Sequence, residues 1–184
     1  MITVITGTMF SGKTTELLQQ INLAKKRIVL KDSDQDIKIF KPSFDNRYKE
    51  NYIVTHDKKE IEAVPVRNAI DILKHCDTFT NDYVFIDEAQ FFKKDIVTVA
   101  LRLSNMVNNV MLVCLEHDYL HRPFGYSNKL MKIADEIIIK EINCMTPDCK
   151  NKATHNKRLI NDKVQFYLGS DKQYQAVCEE HYDH

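Results

Sequence analysis

The sequence predicts an α/β fold, a largely parallel and buried sheet flanked by helices, followed by a small second unit. Three observations lead there. Apolar, β-branched runs alternate with helical patterns through residue 140, as strand–helix–strand units require. Gly7-Thr8-Met9-Phe10-Ser11-Gly12-Lys13-Thr14 fits G-x-x-x-x-G-K-[ST] and sits between one such run and one such helix. Beyond residue 140 helical periodicity fades and cysteines come in spaced pairs.

Composition narrows the function classes. The 184 residues are 43% hydrophobic and 28% charged, enough for one domain with a real core plus an appendage. Lysine plus arginine equals aspartate plus glutamate at 26 each, so no net charge pulls the chain toward nucleic acid or an anionic membrane. No apolar run approaches the roughly 18 residues of a membrane span, and no signal-peptide pattern opens the chain. The expected location is the cytoplasm, where five cysteines serve as metal ligands or buried small hydrophobes rather than disulfides.

Along the chain, residues 2–6 (Ile-Thr-Val-Ile-Thr) read as the first strand, and Thr14, Leu17, Leu18, Ile21 and Ala24 give residues 14–30 a helical stripe. The loop between them brings backbone N–H groups onto one anion, helped by the positive end of the helix. Lys13 adds a point charge for the β- and γ-phosphates and the Thr14 hydroxyl is a Mg²⁺ ligand. These features predict a P-loop NTPase (RecA-like) sheet. Residues 31–36 read as a polar loop, 37–41 as a strand, and 41–62 as polar and ambiguous. Helices are expected at 68–75, 95–108 and 127–134, and strands at 83–86, 110–115 and 136–139.

The strand at 83–86 ends in Asp87-Glu88. An acidic residue in that place holds the Mg²⁺ shell opposite the loop hydroxyl, which assigns Asp87 to the metal with Thr14. Glu88 points elsewhere and is available as a base or water-orienting group.

In the last part of the chain, Cys144-x₄-Cys149 and Cys178-x₂-His181 offer four ligands in two close pairs, the pattern of a closed structural zinc site. His155 and His184 are rival ligands. Cys76 and Cys114 lie in apolar surroundings and read as core. A strand-like piece at 164–168 lies between the two ligand pairs. The metal would tie down both ends of a lid. The expected division is 1–140 and 141–184.

Asp87-Glu88-Ala89-Gln90-Phe91-Phe92 resembles the signature of the thymidine kinases of the human-cytosolic type (type II), found in bacteria, eukaryotes and large DNA viruses. The phosphate loop resembles theirs, with Thr8 where proline is usual. Lys41-Pro42-Ser43-Phe44-Asp45-Asn46-Arg47-Tyr48, Arg122-Pro123-Phe124-Gly125 and Leu168-Gly169-Ser170 with Tyr174-Gln175-Ala176-Val177-Cys178 match further family segments in order. The resemblance implies transfer of the γ-phosphate of ATP to the 5′-hydroxyl of thymidine, with ATP, Mg²⁺ and a structural Zn²⁺ in a lasso-like lid. It makes Glu88 the base and puts Asp45, Arg47 and Gln90 with Asp87 and loop residues 7–14 at the phosphates. It lines the nucleoside pocket with Met9, Phe91, Leu115, Tyr119, Phe124, Asn156 and Tyr174. Backbone groups of Gln165, Phe166, Tyr167, Leu168 and Gly169 would read the base. Cys144, Cys149, Cys178 and His181 match the family's metal positions. The resemblance further implies feedback inhibition by thymidine triphosphate and a homotetramer, some relatives being dimers.

Three departures bear on this. Leu115-Glu116-His117-Asp118-Tyr119 stands for the usual L-D-x-x-F, Asn156 replaces a common threonine, and the first cysteine pair is two residues longer than usual. The first two leave open the choice between thymidine and deoxyuridine. The competing expectations are a helicase-like P-loop ATPase, for which the chain lacks a second nucleotide-binding lobe and a basic track, and a regulatory nucleotide-binding module.

Overall fold

The computed structural model describes residues 1–31, 35–44, 51–55, 58–76, 83–107, 109–160 and 173–182. Six parallel strands form the main sheet: β1 (Ile2–Gly7), β2 (Ile37–Pro42), β5 (Val64–Val66), β6 (Tyr83–Ile86), β7 (Asn109–Val113) and β8 (Glu136–Lys140), in the order β5-β2-β6-β7-β1-β8. Helices α1 (Lys13–Lys31), α2 (Ala69–Ile72), α3 (Asp95–Met106) and α4 (Ser127–Ile133) cover its faces. Two antiparallel pairs stand outside this sheet: β3 (Tyr52–Val54) with β4 (Glu60–Glu62), and β9 (His155–Arg158) with β10 (Tyr174–Val177).

The period of two along the strands sorts the core. In β6, Val84 and Ile86 join Ile96, Val99, Ala100 and Leu103 of α3, while Tyr83 and Phe85 join Leu17, Leu18, Ile21 and Ala24 of α1. Both faces are apolar because both are covered, as expected of a parallel sheet. Each fully buried leucine or isoleucine here contributes about 1.5–3 kcal/mol.

The predicted strands and helices of the main sheet all appear, with shifted ends. The run expected to continue to residue 115 stops as β7 at Val113, and the helix expected over 68–75 is α2 plus a short 3-10 turn at Leu73–His75. The ambiguous 41–62 stretch contains the β3–β4 pair, anchored to the sheet where buried Lys41 donates to the Tyr52 carbonyl at 3.0 Å. The strand expected at 164–168 lies outside the described residues, as do residues 32–34 of the expected polar loop.

Parallel order brings the C-terminal ends of β1, β2, β6 and β7 to one edge of the sheet. The ladder carries past the strand ends: the Asp87 N–H donates to the Phe40 carbonyl at 2.9 Å, and the Cys114 N–H to the Ile5 carbonyl at 3.0 Å. Ligands of open α/β sheets bind outside these carboxyl ends, which is where the motif residues gather.

Candidate active site

Gly7 ends β1 with φ of 141°, and a Cβ there would stand 2.2 Å from the Lys140 carbonyl oxygen of β8. Only glycine lets the loop leave the strand this close to its neighbour. Residues 8–12 then turn into α1, whose 19 residues present a full N-terminal dipole to the loop. Lys13 Nζ donates to the Thr8 carbonyl at 2.6 Å, folding the lysine back over the loop. The buried hydroxyls of Thr8 and Ser11 make no hydrogen bond among the described residues. The backbone N–H groups of such a loop, running into a helix N-terminus, suit a phosphate.

Across from the loop, β6 delivers Asp87 and Glu88. Asp87 is buried, and one of its oxygens accepts the Glu88 N–H at 3.0 Å. Glu88 is half-buried with φ of 51°, a left-handed conformation that costs a non-glycine residue free energy and recurs at functional sites. Its carboxylate accepts from the Gln90 side-chain amide. The Gln90 oxygen in turn accepts the Leu115 N–H at 3.1 Å. Gln90, expected at the phosphates, thus connects Glu88 to the end of β7. Gly125, φ 56°, packs so tightly on this residue that a Cβ would lie 2.1 Å from the Gln90 carbonyl oxygen.

The aromatic residues expected around a nucleoside are brought together in two groups. Phe91 meets Phe124 edge-on at 5.3 Å between ring centres and Phe44 at 5.1 Å. The Arg158 guanidinium lies 3.6 Å above the Tyr119 ring and donates to the Tyr174 hydroxyl at 2.6 Å, joining the second group. The extra phenol oxygen of Tyr119 comes with this cation on its ring face, an attraction of about 0.5–2 kcal/mol. Met9 and Asn156 meet through a hydrogen bond at 2.7 Å. Asp45 and Arg47 and the segment Gln165, Phe166, Tyr167, Leu168 and Gly169 lie outside the described residues.

Several residues organise the site without belonging to its sequence motifs. Asp118 is buried and accepts from the Leu120 and Arg122 N–H groups and from the Arg122 guanidinium at 2.9–3.0 Å. It shapes the turn that presents Tyr119, and it holds the Arg122 guanidinium above its usual pKa. His117, His121, His155 and Tyr182 form a ladder of rings at 4.1–4.3 Å, and the Tyr182 hydroxyl donates to the Tyr119 carbonyl at 2.7 Å. A D-x-x-x-R spacing at a turn could have flagged Asp118; nothing local marks the ladder.

Cys144, Cys149, Cys178 and His181 converge, their ligand atoms all within 4.8 Å of one another. The Cys149–Cys178 sulfurs are 3.8 Å apart, and His181 Nδ1 lies 3.2 Å and 3.6 Å from the sulfurs of Cys178 and Cys144. A tetrahedral zinc with Zn–S bonds of about 2.3 Å has S–S edges of about 3.8 Å, so the donor set could hold the ion. Burial pushes the Cys144 thiol up, but hydrogen bonds from Thr146 and the Cys178 backbone outweigh it and hold it at about 6. His155 stands outside the cluster, beside Thr154 at 2.8 Å and Glu179 at 3.3 Å. His184 lies outside the described residues. Cys76 and Cys114 are buried in the core as expected, and burial raises the Cys114 thiol to about 11.

A parallel sheet with a G-x-x-x-x-G-K-T loop after β1, an Asp-Glu pair at the end of β6, one strand removed from it, and a carboxylate held by an amide defines a phosphate-transferring enzyme of the P-loop class. The family model for thymidine kinase matches residues 1–182. Thymidine kinases of Bacteroides thetaiotaomicron and Bacteroides fragilis are each 36% identical over 98% of this chain and 86% of their own length. That of Porphyromonas gingivalis is 37% identical over 96% of this chain and 82% of its own. The chain belongs to the thymidine kinase family. Among solved structures, the X-ray structure of the Legionella pneumophila ATPase DotB overlays with a TM-score of 0.40 at 14% identity, covering 82% of this chain and 42% of that one, a likeness too loose to inform function.

Proposed function

We infer that this chain is a thymidine kinase, transferring the γ-phosphate of ATP to the 5′-hydroxyl of thymidine. The observation that carries the reading is the Glu88 carboxylate, fixed by Gln90 at the end of β6, on the same edge of the sheet as the phosphate loop. A hydroxyl nucleophile needs an acceptor within hydrogen-bond reach, and that role falls to Glu88 in this reading. Lys13 and the loop N–H groups hold the phosphates, and the family resemblance assigns Arg47 and Asp45 to the transferring group. Thr14 and Asp87 would hold Mg²⁺, which supplies charge neutralisation between the phosphates. Alignment and electrostatics are then the main sources of rate, as phosphoryl transfer requires.

The nucleoside would lie among Met9, Phe91, Leu115, Tyr119, Phe124 and Tyr174, its base edge read by backbone groups of residues 165–169. Apolar and aromatic walls suit a flat methylated pyrimidine. Deoxyuridine, which lacks the methyl, is the weaker substrate, since one methyl in an apolar pocket is worth about 1–3 kcal/mol. Residues 1–140 form the kinase domain and 141–184 a lid, stapled by zinc on Cys144, Cys149, Cys178 and His181. Thymidine triphosphate is the expected feedback inhibitor, a homotetramer the expected assembly and the cytoplasm the expected location. No helix among the described residues is long and apolar enough to cross a membrane.

A coupled assay with ATP, Mg²⁺ and each nucleoside in turn tests this. Phosphorylation of thymidine ahead of every other nucleoside is expected. ATP hydrolysis stimulated by DNA, with no nucleoside phosphorylated, would refute it.

A further inference from the structure

We propose that Asn156 is a positioning residue that holds the phosphate loop in shape from the C-terminal part of the chain. The inference rests on reading the loop as the ATP site. Asn156 lies on β9, is 6% exposed, and bonds at both ends of its side-chain amide. Its oxygen accepts the Met9 N–H at 2.7 Å and its nitrogen donates to the His117 carbonyl at 3.1 Å. A donor at one end and an acceptor at the other leave only one orientation of the amide.

The Met9 N–H belongs to the same peptide unit as the Thr8 carbonyl, to which Lys13 Nζ donates at 2.6 Å. That one unit is therefore held by the phosphate-binding lysine on one side and by Asn156 on the other. If the peptide rotated, both bonds would be lost together. Asn156 itself is fixed, since it pairs with Ala176 of β10, two residues before Cys178 of the cysteine–histidine cluster. The loop and the cluster are thereby joined through one buried side chain. Met9 also borders the nucleoside pocket in the functional reading, which makes this peptide the point where both substrates meet the C-terminal part.

The test compares Asn156→Ala and Asn156→Asp with wild type, after confirming equal metal content and folding. Asn156→Ala is expected to raise the KM for ATP about tenfold at saturating thymidine, because the loop peptide loses its outer hold. Asn156→Asp keeps an acceptor for the Met9 N–H and should recover part of that loss. A fall in kcat with both KM values unchanged would mean only less folded enzyme and would overturn the proposal. So would Asn156→Asp matching Asn156→Ala throughout. Should Asn156→Ala not fold, Asn156→Ser, too short to reach Met9, is judged by the same KM. Binding of a fluorescent ATP analogue without nucleoside separates the two claims. Wild type that binds it well but phosphorylates no thymidine refutes the functional reading, while weaker binding by the variant still supports the hold on the loop. Equal binding by wild type and variant overturns that hold.

Discussion

Replacing Gln90 with leucine removes a side chain that joins the proposed base to the neighbouring strand end. Gln90 is 2% exposed, donates to the Glu88 carboxylate and accepts the Leu115 N–H at 3.1 Å. A hydrogen bond to a charged group contributes about 1.5–3 kcal/mol and a neutral one about 0.5–1.5 kcal/mol. Leucine fills similar space and offsets part of the loss by its apolar burial, leaving a net destabilisation of about 2–3 kcal/mol. For a chain of this size each kcal/mol moves the melting temperature by about 2–4 °C, so a drop of about 4–12 °C is expected. The effect on rate should exceed what folding accounts for. Glu88 sits in a left-handed conformation, and a carboxylate freed by about 1 Å from its productive place costs about a hundredfold. Differential scanning calorimetry and kcat at saturating ATP and thymidine read the two effects separately. A lowered melting temperature with kcat within twofold of wild type would refute the reasoning, leaving Gln90 as a structural residue only.

Lys13→Ala should raise the KM for ATP and lower kcat together, since the lysine acts on the phosphates in both ground and transition states; steady-state kinetics in ATP decides this. Chelation that strips metal from the four-residue cluster should lower the melting temperature and raise the KM for thymidine, checked by metal analysis alongside both measurements; unchanged values would remove the lid role. Glu16, bonded to Lys140 at 2.9 Å and to Gln20, has a folded pKa below its ordinary 4.5. Its contribution is therefore complete above about pH 4.5 and fades as the pH falls through the lower folded value. Glu16→Gln should cost less than about 1 kcal/mol at neutral pH and nothing at strongly acid pH, measured by urea unfolding across that range.

The main sheet was legible because β1, β6 and β7 are largely apolar, β-branched or aromatic runs, as two-sided burial requires. The ends were not: β7 closes at Val113, although the apolar run continues through Cys114, which stays in the core, to Leu115, which bonds Gln90 of the candidate site. β5 was missed because it is three residues long with Pro65 at its centre, on the sheet edge where a missing N–H is tolerated. β9 reads His-Asn-Lys-Arg and has no apolar pattern at all; its pairing with β10 comes from tertiary context. Of the candidate site, motif spacing pointed to the loop, to Asp87 and Glu88, and to the four cysteine and histidine residues whose ligand atoms converge. It could not show that Gln90 turns toward Glu88, nor that Asn156 reaches Met9, because the first depends on a backbone turn at Glu88 and the second spans 147 residues.

The central claim is that Glu88 accepts the proton of the thymidine 5′-hydroxyl while Lys13 and the loop hold ATP. Its most direct test is the single-turnover rate of phosphate transfer from γ-labelled ATP to thymidine, in wild type and Glu88→Gln, with binding of both substrates measured in parallel. The account predicts that the variant binds both normally and transfers at least about a hundredfold more slowly, the scale of a lost general base. Transfer at the wild-type rate by Glu88→Gln would contradict it.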